Sequence, residues 1–274
     1  MRIDELIASE GLPASYREVV ERHWAPLADR IAQRRPRIVG INGAQGSGKT
    51  TLCRFLEPLL AERGVRTVTL ALDDLYLTRS EREQMARNEH PLFATRGVPG
   101  THDVALGQAI LGTLAAGRPA VLPRFDKATD DRDGSVAIEQ PPDVILFEGW
   151  CVGAVPQPAA ALREPVNRLE AEEDPDGRWR REVNRRLASD YAALFARIDW
   201  LVMLKVESWE AVRANRLTQE RKLGAKNPQG SAVMDESTLD RFLMHYERLT
   251  RWMLEEMPAR ADLVIPIGAE QRPA

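Results

Sequence analysis

"RIVGINGAQGSGKTTL", running from Arg37 to Leu52, is the stretch whose reading decides the fold of this chain. A short apolar run at 37–42 breaks into a glycine-rich loop, which ends in Lys49 and Thr50 before helix-forming residues resume. Gly43-Ala44-Gln45-Gly46-Ser47-Gly48-Lys49-Thr50 satisfies the pattern G-x-x-x-x-G-K-[ST] in full. The glycines let successive backbone N–H groups face a nucleotide's phosphates, and the N-terminus of the following helix adds partial positive charge. Lys49 has the reach for the β- and γ-phosphates, and the Thr50 hydroxyl is a Mg²⁺ ligand candidate. Residues Gly43 to Thr51 therefore form the candidate nucleotide site. The loop leaves open where the phosphate goes: to water, to a protein or to a small molecule.

Outward from this stretch, apolar strands alternate with helices. The strands read are 37–42, 65–74 ("VRTVTLALDD"), 143–150 ("DVILFEGW"), 199–206 ("DWLVMLKV") and 261–268 ("ADLVIPIG"). Helical spacing is expected over 15–34, with Ser15 and Glu18 as a capping box, and over 50–64, with Pro58 a candidate break and Gly64 the stop. Further helices are expected at 104–116, at 177–198, from Ser208 to a stop at Gly224, and in a last amphipathic segment carrying Leu239, Leu243, Tyr246 and Met253. A polar, irregular stretch fills 77–103, with a short helix near 81–88. Strands apolar throughout and alternating with helices mean an α/β fold, a parallel sheet covered on both faces. The 274 residues are read as one domain.

Composition excludes several classes. The formal charge is −3 and no Lys/Arg block stands out, which argues against a nucleic-acid binder. Two cysteines without metal spacing read as reduced thiols. The N-terminus lacks an apolar signal core, and no apolar run approaches the roughly 18 residues of a membrane helix. A cytoplasmic enzyme without membrane contact is expected, its oligomeric state open.

Two acids complete the candidate chemistry. Glu148 ends the strand at 143–150, where a buried carboxylate needs a cation or donor, and fits the second metal-site position beside Thr50. Asp73 lies 24 residues after Lys49, one helix plus one strand, at the strand end where open α/β folds bind ligands. It is placed to meet an acceptor hydroxyl. A carboxylate of ordinary pKa, about 3.9, does not deprotonate an alcohol beforehand. In a loose phosphoryl-transfer transition state the proton leaves late, so orienting the hydroxyl is the larger task. Asp74 is the neighbouring, weaker candidate.

"GAQGSGKTTL", "LALDDLYLTRSE", "RGVPGTHDV", "LPRFDKATDDR" and "VILFEGWCVG" occur in the order seen in D-glycerate 3-kinases of the plant and fungal type. The chain thus resembles, from about residue 37 to 255, a branch of P-loop kinases related to pantothenate kinase, uridine kinase and phosphoribulokinase. The resemblance implies a mostly parallel five-stranded sheet of order 2-3-1-4-5, with an acceptor-site insertion over about 77–140 and a lid over about 208–224. It implies ATP and Mg²⁺, Asp73 as catalytic base (although Leu75 replaces the more usual Phe), and Glu148 as the acid of the Walker B strand. Arg96, His102 and Asp103 become acceptor-site candidates, with Arg124, Asp126 and Lys127 from the next segment. "EAVRANRLTQERKL" resembles the lid, with Arg216 and Arg221 the leading phosphate contacts and Arg213 third.

The expected acceptor is a small hydroxy-acid, D-glycerate first, because Arg96, Arg124, Lys127 and His102 supply cations for a carboxylate. Pantothenate, a nucleoside or a sugar phosphate is the alternative. A GTPase switch would carry a guanine-reading N-K-x-D, which this sequence lacks, and a non-catalytic nucleotide binder would not need Lys49, Thr50, Asp73 and Glu148 together. His23 and His245 read as packing or surface residues, Trp24, Trp179 and Trp252 as core, and 170–182 as a mobile surface insertion.

Overall fold

A computed structural model describes residues 3–226, 235–268 and 271–274, with the side chains of 219–226 excepted. Seven strands form among the described residues: β1 (Ile38–Gly43), β2 (Thr67–Ala71), β3 (Ala120–Asp126), β4 (Asp131–Ile138), β5 (Val144–Gly149), β6 (Trp200–Val206) and β7 (Leu263–Ile267). Five make one sheet in the order β2-β5-β1-β6-β7, every pairing parallel. Counted among themselves the sheet strands run 2-3-1-4-5. The numbering differs because β3 and β4 form a separate antiparallel hairpin inside 118–142, where the sequence suggested no strand.

Every residue of β1 and β5 is buried, and successive side chains point to opposite faces, so both faces of the sheet are covered. The main core is apolar, centred on Val39, Ile41, Leu52, Phe55, Leu70, Leu146, Phe147 and Val202, and it takes in Cys53 and Cys151 as free thiols. A smaller cluster gathers Leu92, Phe93, Val98, Leu169 and Trp179. No helix among the described residues is long and apolar enough to cross a membrane.

The starting end of the sheet carries a repeated device. Asp143, Asp199 and Asp262 each sit immediately before a strand, and each accepts a backbone N–H from the neighbouring chain segment. The donors are Arg66 at 2.9 Å, Ile38 at 2.8 Å and Leu201 at 2.8 Å. These N–H groups lie beyond the regular ladder, so the carboxylates satisfy donors that would otherwise be stranded at the sheet's edge.

Several expected elements differ. The leading helix is Tyr16–Val19, a wide π turn Val20–Trp24, then Ala25–Arg34, and a further helix Ile3–Ser9 precedes it. Pro26 has no N–H to return to the carbonyl four residues back, and the ladder widens just before it. Ser15 makes no side-chain cap, because its own backbone is already helical. The helix Lys49–Ala61 continues through Pro58. The expected helix at 177–198 is broken at Ser189 into Arg178–Ala188 and Asp190–Phe195. Gly224 does not stop Trp209–Lys226, which starts under the Ser208 hydroxyl.

The segment 170–182 is anchored rather than loose. Glu170 and Asp174 are fully buried and Arg180 nearly so. Asp174 accepts the N–H groups of Trp179 and Arg180 at 2.8 and 3.2 Å and pairs with the Arg180 guanidinium at 3.0 Å. Glu170 holds Arg248 of the last helix, Glu236–Glu256, through two bonds of 2.7 and 2.6 Å. High charge content hid these pairs, since charge in sequence usually marks a solvated face.

Candidate active site

Three adjacent parallel strands deliver the site. Ile41 of β1, Glu148 of β5 and Ala71 of β2 stand in one register. Two residues beyond that line, β1 enters the glycine loop at Gly43 and β2 has passed into the 3₁₀ turn Leu72–Leu75, which carries Asp73 and Asp74. The loop, Glu148 and Asp73 therefore meet because the register is shared, not because they are close in sequence.

The loop is built for backbone approach. A Cβ on Gly43 would stand 2.4 Å from Ser47 Oγ, and Gly48, which precedes the helix Lys49–Ala61, holds φ at 89°. Lys49 Nζ donates to the Ala44 carbonyl at 3.3 Å, folding back over the loop. Among the described residues, Ser47 Oγ and Gln45 Oε1 are buried without a hydrogen-bond partner, which a loop awaiting phosphate explains. Thr50 Oγ1 donates to Glu148 Oε1 at 2.9 Å. Burial pushes the Glu148 carboxyl upward, an effect moderated by the nearby Lys49 charge.

The Thr50–Glu148 pair offers hard oxygen donors. Among the described residues no group of three His, Cys, Asp or Glu could hold a metal by itself. The donor chemistry of Thr50 and Glu148 fits Mg²⁺, which takes one or two protein oxygens and keeps waters and phosphate as its other ligands.

Asp73 lies between two donors: Lys127 Nζ at 2.6 Å from Oδ2 and the Tyr76 hydroxyl at 3.0 Å from Oδ1. Burial pushes its pKa up, but the Lys127 ammonium, then Lys49, pull it down by more, so the carboxyl is held well below its usual range. Lys127 comes from the turn of the β3–β4 hairpin and remains 62% exposed, so water screens this pair in part. The sign of the pH effect follows. An anionic base works above its folded pKa and is lost as pH falls through it. Lys127→Met leaves burial as the larger influence, so the acid limb of kcat/KM is expected to move to higher pH. A pH–rate series at saturating nucleotide measures this, and an unmoved limb would contradict it.

The other expected acceptor groups divide. Asp74 is occupied: Arg124 Nη1 donates to Oδ2 at 2.7 Å and the Phe125 N–H to Oδ1 at 3.2 Å. It fastens β3 to the end of β2, and Arg124 is spent in the same bond. Asp103 caps Val104–Ala115 by accepting the Leu106 N–H at 2.9 Å, and pairs with Arg132 at 3.2 Å. Arg96 is paired with Asp130 and lies 5.7 Å over the Phe125 ring. Asp126 turns back on the N–H groups of Ala128 and Thr129. The geometry thus gives Asp103, Asp126 and Arg96, where the resemblance implied acceptor roles, and Asp74, the weaker strand-end candidate, loop-holding contacts.

His102 is buried and stacks on Tyr76 at 4.5 Å between ring centroids. Burial pushes its pKa down to about 3, so the ring is neutral. Its loop is fixed from several sides. Trp150 Nε1 donates to the Gly97 carbonyl at 2.9 Å, and the Tyr246 hydroxyl to the Arg96 carbonyl at 2.9 Å. Gly97 holds φ at 139°, and a Cβ there would lie 2.0 Å from the Tyr246 oxygen, so glycine is required.

Of the expected lid arginines, Arg216 acts electrostatically on Tyr246 and so lies toward this end of the site. Arg213 is tied to Asp240 at 2.6 Å, joining two helices. The Arg221 side chain lies outside the described residues. Sequence reasoning missed Tyr76, Trp150, Tyr191 and Tyr246. Tyr76 stands inside "LDDLYLT" and carried a signal. Tyr191 and Tyr246 occupy apolar helical positions and carried none.

No protein-family model matches the chain. It is 34% identical over 226 residues to the uncharacterised kinase mug58 of Schizosaccharomyces pombe, covering 77% of this chain and 79% of that protein. It is 30% identical over 259 residues to the chloroplastic D-glycerate 3-kinase of Arabidopsis thaliana, covering 87% of this chain but spanning only 54% of the plant protein. Among solved structures, D-glycerate 3-kinase from Cryptococcus neoformans superposes with a TM-score of 0.77 at 26% identity, covering 91% of this chain and 96% of that one.

Proposed function

The chain belongs to the P-loop kinases, the family that holds these relatives, and from that premise we propose that it transfers the γ-phosphoryl group of ATP to a hydroxyl of D-glycerate. The observation that carries the reading is Asp73: an ionised carboxylate, braced by Lys127 and Tyr76, standing one strand from Glu148 and two from the phosphate loop. A hydrolase needs no such group facing a second substrate.

In this reading Gly43 to Thr51 hold the ATP phosphates, and Thr50 and Glu148 hold Mg²⁺, which would neutralise charge on the phosphates when bound. Lys49 leaves the Ala44 carbonyl for the β/γ-phosphates. Lys127 changes partner from Asp73 to the acceptor carboxylate. Asp73, then open, accepts the acceptor's hydroxyl proton late in transfer. Arg216 meets charge on the transferring group, and Arg221 is proposed as a phosphate contact beside it. Lys127 suits the exchange because it is exposed, whereas Arg124 and Arg96 are tied by aspartates. Cys53 and Cys151, free and buried, support a cytoplasmic location.

A second reading, a nucleoside acceptor, draws on the aromatic group Tyr76, His102 and Phe125. These rings pack on one another, which leaves less face for a base. Release of ADP with D-glycerate, pantothenate, uridine and ribulose 5-phosphate separates the readings. D-glycerate is expected to lead, and no release above background with it would remove the assignment.

A further inference from the structure

The Tyr191 hydroxyl accepts the Gly100 N–H at 2.9 Å and lies 2.6 Å from His102 Nδ1. Tyr191 is buried, and among the described residues its single proton has no acceptor other than Nδ1. The phenol therefore donates to Nδ1, which must carry a lone pair. A neutral imidazole has one N–H, so the proton sits on Nε2. His102 Nε2 is buried and, among the described residues, has no partner. An orphaned donor of this kind is costly, at about 1–3 kcal/mol, and calls for a reason. The same ring stacks on Tyr76, whose hydroxyl binds Asp73, and it feels the Asp73 charge. The unpartnered donor therefore belongs to the neighbourhood where the acceptor hydroxyl must arrive.

We propose that Tyr191 is a positioning residue: it locks His102 in the Nε2–H tautomer, so that a fixed, uncharged donor meets an oxygen of the acceptor beside Asp73. The inference rests on the kinase reading for its consequence, but not for the tautomer itself. A preset tautomer matters because either ring nitrogen can carry the proton in a free histidine. A site built to donate to a substrate oxygen rejects analogues lacking it far more strongly than an apolar wall does. Tyr191 comes from the short helix after the break at Ser189, so the break in the expected helix brings this hydroxyl to the loop.

Ring-nitrogen NMR of ¹⁵N-histidine-labelled protein tests the lock directly. The chain has four histidines, so His102→Gln assigns the signal. Wild type is expected to show His102 as the Nε2–H form, and an Nδ1–H or charged ring near neutral pH would overturn the proposal. Tyr191→Phe is expected to mix the tautomers and to raise KM for D-glycerate about tenfold, with kcat and KM for ATP held within about twofold. Equal loss on the ATP side would mark a merely structural role and overturn it. A second pair covers the case in which Tyr191→Phe folds poorly. His102→Gln, with an amide N–H near the Nε2 position, should keep acceptor KM within about threefold, while the shorter His102→Asn raises it about tenfold. Equal losses in the two would also overturn the proposal. If wild type leaves D-glycerate unphosphorylated, the acceptor assignment falls while the NMR result still decides the tautomer.

Discussion

Asp73→Asn is expected to lower kcat by about 10²–10⁴-fold, the usual worth of a positioned base. The amide keeps the shape of the carboxylate but not its charge, so the 3₁₀ turn should persist while the proton acceptor is lost. Lys127 loses its anion at the same time, which frees it for the acceptor carboxylate. KM for the acceptor is therefore expected to change little, and nucleotide affinity to stay within about threefold, since Asp73 is two strands away from the phosphate loop. Steady-state kinetics with an independent nucleotide-binding titration separate these quantities. A variant with near-normal kcat would show that orientation by Tyr76 and Lys127 suffices and that Asp73 is not the base.

The largest stability effect is expected at Glu170, far in sequence from any of this chemistry. Its carboxylate takes two bonds from Arg248 and the Val166 N–H at 3.0 Å, while Arg248 also reaches the Ala161 and Glu164 carbonyls at 2.7 and 2.6 Å. Glu170→Ala strands a buried guanidinium, which typically costs about 3–5 kcal/mol. For a domain of this size that is a fall in Tm of roughly 10 °C or more, read by thermal unfolding. Replacing both partners with Met or Leu should recover much of it, because the charge goes with its partner. A Tm change of a degree or two in Glu170→Ala would mean that water reaches Arg248.

The contrast between these two residues shows what the sequence made legible. The glycine loop, the five sheet strands and the acid pair Asp73 and Glu148 could be read because each is a local pattern: a motif, an apolar run, a carboxylate at a strand end. The parts that were obscure depend on pairings across long separations. Lys127 on Asp73 spans 54 residues, Arg248 on Glu170 spans 78, and Tyr191 on His102 spans 89. Nothing in the spelling of "EAEEDPDGRWRRE" tells a solvated acid from one with a guanidinium waiting on a distant helix. The β3–β4 hairpin was missed for a related reason. Its strands lie mostly on the surface, with Val121 and Val136 exposed, and so lack the apolar run that marked the others.

The three aspartates at the starting end of the sheet divide the molecule into a fixed pole and a variable one. Asp143, Asp199 and Asp262 clamp neighbouring segments at the end of the sheet opposite the glycine loop. Register is set there, so the opposite pole need not help to set it. The loops that carry acceptor chemistry hang from strands whose alignment they do not determine. Such a scaffold can exchange one acceptor-recognition segment for another without losing the line that joins Ile41, Glu148 and Ala71. Phosphate handling is thereby inherited intact while the choice of hydroxyl is free to diverge.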